Sequence, residues 1–125
     1  MTLLLLSLAG GLGALARFVL DAAVNRRTHR TLPLGTLVIN VSGSLLLGLL
    51  AGWAAGAAAG LVPALKTVVG TGFCGGYTTF STASVETARL FAADGPTLAG
   101  GYAALTLVGS TAAAALGLWL GGALA

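Results

Sequence analysis

Almost the whole chain is taken up by four apolar runs, at about residues 2 to 24, 33 to 58, 63 to 90 and 97 to 123, with only short polar breaks between them. Each run supplies the roughly 20 apolar residues that a helix needs to cross a hydrocarbon core. Inside lipid every backbone N–H and C=O must be satisfied within the protein, which leaves helices and closed barrels as spanning structures. Runs this long read as helices. The predicted fold is therefore an all-α membrane protein with four transmembrane helices, residues 1–125 forming one unit. A soluble surface normally takes about a quarter to a third charged side chains, whereas 7% of this chain is charged and 57% hydrophobic. No stretch remains for a catalytic domain, so an enzyme is not expected.

The breaks carry their own punctuation. Arg26, Arg27, His29 and Arg30 precede Pro33; Gly60 and Pro63 divide the second run from the third; Asp94, Gly95 and Pro96 divide the third from the fourth. The first run starts at Thr2 without the basic leader of a secretory signal peptide, which predicts a retained helix. The net charge of +3 comes from few side chains and suits a membrane interface, not a nucleic-acid surface. A lone Cys74 fits neither a disulfide framework nor a metal cluster.

One segment is not built for lipid. Residues 70 to 82 interleave four glycines with a series of hydroxyl side chains, and backbone that loosens at membrane depth must be buried in protein or line a wet cavity. Polar stripes accompany it. Thr36, Asn40 and Ser44 recur every four residues on the second helix, and Tyr102, Thr106 and Ser110 on the fourth, so each set shares a face. Ser and Thr can bond to the preceding turn, which leaves both packing and a polar pathway open. The Asn40 amide, with two donors and an acceptor, cannot be satisfied that way. Arg17 sits within the first run, where it either snorkels to the interface or faces an aqueous vestibule that attracts anions. Gly48, Gly52 and Gly56 clear one face of the second helix for another backbone, in this subunit or the next.

Asp21 and Glu86 fall near span ends, with Arg89 three residues beyond Glu86 and so placed to neutralise it. A proton-coupled exporter needs an ionisable acid at depth, and none is placed there. Hydroxyl and amide donors, one arginine and a phenylalanine edge favour a passive path for a small anion. Chloride, fluoride, nitrate and water all remain open on these grounds.

Gly10 to Arg17 (GGLGALAR), Pro33 to Ser44 (PLGTLVINVSGS) and Gly72 to Thr82 (GFCGGYTTFST) resemble, in order and spacing, the three signature segments of the Fluc (CrcB) fluoride channel family. The resemblance implies a four-helix subunit, its third helix broken at the centre over Gly75 to Thr78, that dimerises antiparallel and exports fluoride passively from the cytoplasm. It implies one structural sodium ion held at the dyad by the backbone carbonyls of Gly75 and Thr78. It assigns Asn40, Thr79, Phe80, Ser81, Tyr102, Thr106 and Ser110 to the anion path and Arg17 to a vestibule. The alternative functions are a small four-helix drug or cation exporter, or a non-conducting subunit that needs an oppositely oriented partner.

The chain departs from the family pattern at Ala83, where a second phenylalanine is usual. With four spans, Arg26, Arg27, Arg30 and Arg89 collect on one side of the membrane, against Lys66 and the terminal amine on the other. The positive-inside rule then predicts a multi-pass plasma-membrane protein with both termini outside. The expected partner is a second copy or, as the charge bias and Ala83 favour, an oppositely inserted paralogue that supplies the missing ring.

Overall fold

The computed structural model describes residues 1–27, 32–56 and 64–125; His29, Arg30, Gly60 and Pro63 of the predicted breaks lie outside them. Among the described residues three helices are long and apolar enough to cross a membrane: α1 (Thr2–Arg27), α2 (Leu34–Gly56) and the last helix, α5 (Pro96–Ala123). Between α2 and α5 lie two shorter pieces. The first, α3, is π-helical over Lys66–Cys74 and closes with one α-turn over Gly75–Tyr77. The second, α4, is Phe80–Asp94. Among the described residues no strand occurs.

Glycine decides how the helices pack. A Cβ on Gly48 or Gly52 of α2 would strike the carbonyl oxygens of Ala114 and Leu118, and a Cβ on Gly117 or Gly121 of α5 would strike those of Leu45 and Leu49. The two helices therefore approach backbone to backbone along reciprocal small-residue faces, the arrangement that van der Waals packing favours in lipid. The Gly48, Gly52, Gly56 face is thus used within the subunit. A second close crossing brings α1 onto α3, where Gly13 faces the Phe73 carbonyl and Gly76 faces that of Gly10.

At one end of the bundle Pro33 lies beside Arg89 and Asp94, so the α1–α2 and α4–α5 connections share that end. There Gly95, at φ 91°, takes a conformation in which a side chain would be strained. Its N–H bonds the Leu90 carbonyl at 3.1 Å, closing α4, and Pro96 opens α5 at a position where its missing N–H costs nothing. Leu90, Ala99 and Tyr102 form a small buried cluster beneath this turn.

The outward surface is apolar: Leu3, Phe18 and Trp119 are 70% or more exposed. Water would penalise such a surface and acyl chains would not. The chain is an integral membrane protein.

Candidate functional site

Residues 78 and 79 are where the third apolar run changes course. Thr78 (φ −76°, ψ 158°) and Thr79 (φ −151°, ψ 122°) are extended, while Gly75 is helical at φ −64°, ψ −36°. The interruption predicted for Gly75 to Thr78 is thus corrected to Thr78 and Thr79. The reason is that glycine permits a break without imposing one, whereas here a side chain from another helix captures the backbone. Asn40 of α2 accepts from the Thr79 N–H through Oδ1 at 2.8 Å and donates from Nδ2 to the Thr79 carbonyl at 2.9 Å. A buried amide bound to both backbone groups of one residue replaces the helical bonds that residue gives up. Thr79 then caps α4, its Oγ1 accepting from the Thr82 N–H at 3.1 Å.

Beside this interruption lies a cavity of about 510 Å³. Asn40, Thr78, Thr79 and Phe80 line one side, and Thr106 and Ser110 of α5 the other. The Thr106 and Ser110 hydroxyls are buried and neither makes a hydrogen bond of good geometry among the described residues, although the Tyr102 hydroxyl lies close enough to Thr106 to interact with it. Such orphaned donors are rare in proteins and call for an explanation. Among the described residues no charged side chain lines the cavity. The positive end of the α4 dipole opens beside it, since α4 begins at Phe80. Phe80 itself stands 89% exposed. Ala83 lines the same cavity one turn along α4.

Two residues that the resemblance assigns to the anion path do not line this cavity. Tyr102, only 2% exposed, does not line the cavity; its hydroxyl donates to Glu86 Oε2 at 2.7 Å. The stripe on α5 is therefore divided, with Thr106 and Ser110 at the cavity and Tyr102 one turn away in a polar bridge. Ser81 is also absent from the lining, its hydroxyl lying 3.2 Å from Thr79 Oγ1 beside the α4 cap. Glu86 corrects a further expectation, since its other oxygen accepts from Thr36 Oγ1 at 2.9 Å. Two hydroxyls from α2 and α5, not Arg89, hold the carboxylate. Sequence spacing exposes only partners on the same helix, and both of these come from others.

Arg17 lines a second cavity, of about 260 Å³, with Asp21, Thr36, Thr79 and Thr82. Thr79 borders both spaces, so the extended residues form the wall between them. Ser44 and Thr87 also line the larger cavity. Ser44 was legible from the Thr36, Asn40, Ser44 stripe; Thr87 was missed, its spacing of four from Ala83 being the signal that could have found it.

Among the described residues no cluster of three His, Cys, Asp or Glu could hold a metal ion; backbone oxygen is another source of ligands. The interruption offers it. The N–H groups three and four residues beyond Gly75 are committed, Thr78 to the Cys74 carbonyl and Thr79 to Asn40. The N–H four residues beyond Thr78, that of Thr82, is committed to Thr79 Oγ1. The carbonyls of Gly75 and Thr78 are both left without their helical donors, and hard carbonyl oxygens suit an alkali cation. Gly75 is exposed, and a Cβ added to it would meet nothing within 4 Å, so its face is open to a neighbouring subunit.

Comparison with known proteins decides the lineage. The family described as "CrcB-like protein, Camphor Resistance (CrcB)" matches residues 4–118. The chain belongs to the CrcB family. This CrcB chain is 54% identical over 121 residues, 97% of its length and 98% of the relative's, to a Cutibacterium acnes protein named fluoride-specific ion channel FluC 2. It is 50% identical to the fluoride-specific ion channel FluC 1 of Leifsonia xyli, over 98% of this chain and 88% of that one. It is 42% identical to the FluC of Syntrophotalea carbinolica, over 96% and 97% of the two chains. The three segments that carry the resemblance coincide with the structural features above: 10 to 17 with the α1–α3 crossing, 33 to 44 with Asn40 and 72 to 82 with the extended residues.

Proposed function

We propose that this chain is a subunit of a fluoride-selective passive channel in the plasma membrane that lets fluoride leave the cytoplasm. The observation that carries the reading is the uncharged cavity at the helix interruption, lined by the buried Asn40 amide and two buried hydroxyls that make no hydrogen bond of good geometry among the described residues. A small, strongly hydrated anion must exchange its water for fixed donors, and an apolar pore offers none. The remaining Nδ2 hydrogen of Asn40, the Thr106 and Ser110 hydroxyls and the positive edge of the Phe80 ring would serve as those donors. Thr79, between the two cavities, would border the path, and Arg17 would raise the local anion concentration at its mouth. Tyr102 and Ser81 act beside the path, the first through Glu86 and the second at the α4 cap. An exporter driven by protons would need a carboxylate in the path, and the cavity lining has none.

The working unit in this reading is an antiparallel dimer, whose partner is a second copy or an oppositely oriented paralogue. The ring of Phe80, 89% exposed in its own subunit, would complete an ion path there. One sodium ion, held by the Gly75 and Thr78 carbonyls of both subunits, would be structural and would supply positive charge near the path. This subunit would lie with both termini outside, its Arg26, Arg27 and Arg89 at the cytoplasmic end. Fluoride efflux from liposomes that contain the purified protein, with chloride as the control anion, tests the reading. Rapid fluoride-selective efflux, from this chain alone or with an oppositely inserted relative, is the expected result. Silence in both preparations overturns it.

A further inference from the structure

The Asn40 amide does more at the interruption than border a cavity. Were α3 to continue as an ordinary helix, the Thr79 N–H would close onto the Gly75 carbonyl four residues back. Asn40 Oδ1 holds that N–H instead, at 2.8 Å, and Asn40 Nδ2 holds the Thr79 carbonyl at 2.9 Å, fixing the residue in its extended conformation. The alternative donor, the Thr78 N–H, is spent on Cys74 at 2.9 Å. The Gly75 carbonyl is thereby left with its lone pairs available on an exposed face.

We infer that Asn40 is the positioning residue of the cation site: by capturing the Thr79 N–H it keeps the Gly75 carbonyl free to bind sodium, although Asn40 itself is not a ligand. The inference rests on the sodium-bearing dimer proposed above and goes beyond it in assigning the site's assembly to a side chain on α2. It separates the two halves of the Asn40 amide. The acceptor oxygen controls sodium, while the donor nitrogen controls the carbonyl of Thr79 and what enters the cavity. An acceptor without the donor should therefore preserve sodium binding.

The test is the rise in unfolding temperature of the detergent-solubilised protein as sodium replaces N-methylglucamine at constant ionic strength. A ligand that binds only the folded form stabilises it in a concentration-dependent way. The wild-type protein should show a sodium-dependent rise. In Asn40→Ala the Thr79 N–H returns to Gly75, and the rise should vanish while helical circular dichroism persists. Asn40→Asp retains the acceptor and should keep the rise. If Asn40→Ala does not fold, the Asn40→Asp result decides. A full wild-type rise in folded Asn40→Ala, or none in folded Asn40→Asp, overturns the inference and leaves the sodium site standing. No rise in the wild-type protein overturns the sodium site, and the inference falls with it.

Discussion

Among the described residues the buried Thr106 and Ser110 hydroxyls make no hydrogen bond of good geometry, an arrangement that selection for stability alone would remove. Leaving a polar group unsatisfied costs about 1–3 kcal/mol. Thr106→Val, nearly the same shape, should therefore leave the protein as stable or more stable by up to that amount while slowing fluoride efflux. Unfolding midpoints and liposome flux, measured on the same preparation, check the pair of outcomes. A loss of stability together with unchanged flux would make Thr106 a packing residue. Tyr102 predicts the opposite pattern. Its hydroxyl donates to the Glu86 carboxylate at 2.7 Å, and hydrogen bonds to charged groups contribute about 1.5–3 kcal/mol. Tyr102→Phe should lower stability by that order, because Glu86 keeps Thr36 but loses the bridge to α5. The effect should be visible in chemical denaturation.

At the scale of the helices, glycine separates positions that cannot change from positions that can. Gly48→Val places atoms on the Ala114 carbonyl, which belongs to backbone and cannot swing away. Overpacking of this kind costs about 1–3 kcal/mol or more. Gly100, also helical, has nothing within 4 Å of an added Cβ, and Gly100→Ala should be neutral or stabilising by about 0.4–1 kcal/mol. Thermal unfolding of the two variants side by side tests whether α2 and α5 pack within one subunit. The sequence made the three long helices legible because lipid imposes length and hydropathy on each run independently of its neighbours. It made the Gly48, Gly52, Gly56 face legible because helical spacing alone aligns it. It did not disclose the partner helix, which depends on where Gly117 and Gly121 fall in three dimensions. The interruption was legible as a region but not as a residue. Four glycines marked residues 70 to 82, yet the chain breaks where Asn40, 39 residues away, reaches the backbone. The π-helical course of Lys66–Cys74 left no local signal, and the hydroxyl partners of Glu86 come from α2 and α5, beyond the reach of spacing along one helix.

For the whole molecule, orientation and the ring missing at position 83 are separable requirements. Arg26, Arg27 and Arg89 lie toward the end at which Pro33 meets Asp94, and Lys66 opens α3 on the other side of the bundle. A chain so biased should insert one way, and reporter fusions at the C-terminus should report an external location almost exclusively. Equal populations on both sides would remove the charge argument for an unlike partner. Ala83 lines the cavity, so Ala83→Phe restores an aromatic edge but does nothing to reverse a subunit. In cells that carry only this chain, Ala83→Phe alone should not speed fluoride efflux, because no oppositely inserted copy is available to meet it. Arg26→Ala with Arg27→Ala should allow both orientations, and adding Ala83→Phe to that background should raise efflux above either change alone. Faster efflux from Ala83→Phe by itself would mean that copies already meet head to tail, and that the aromatic ring, not orientation, limits the channel.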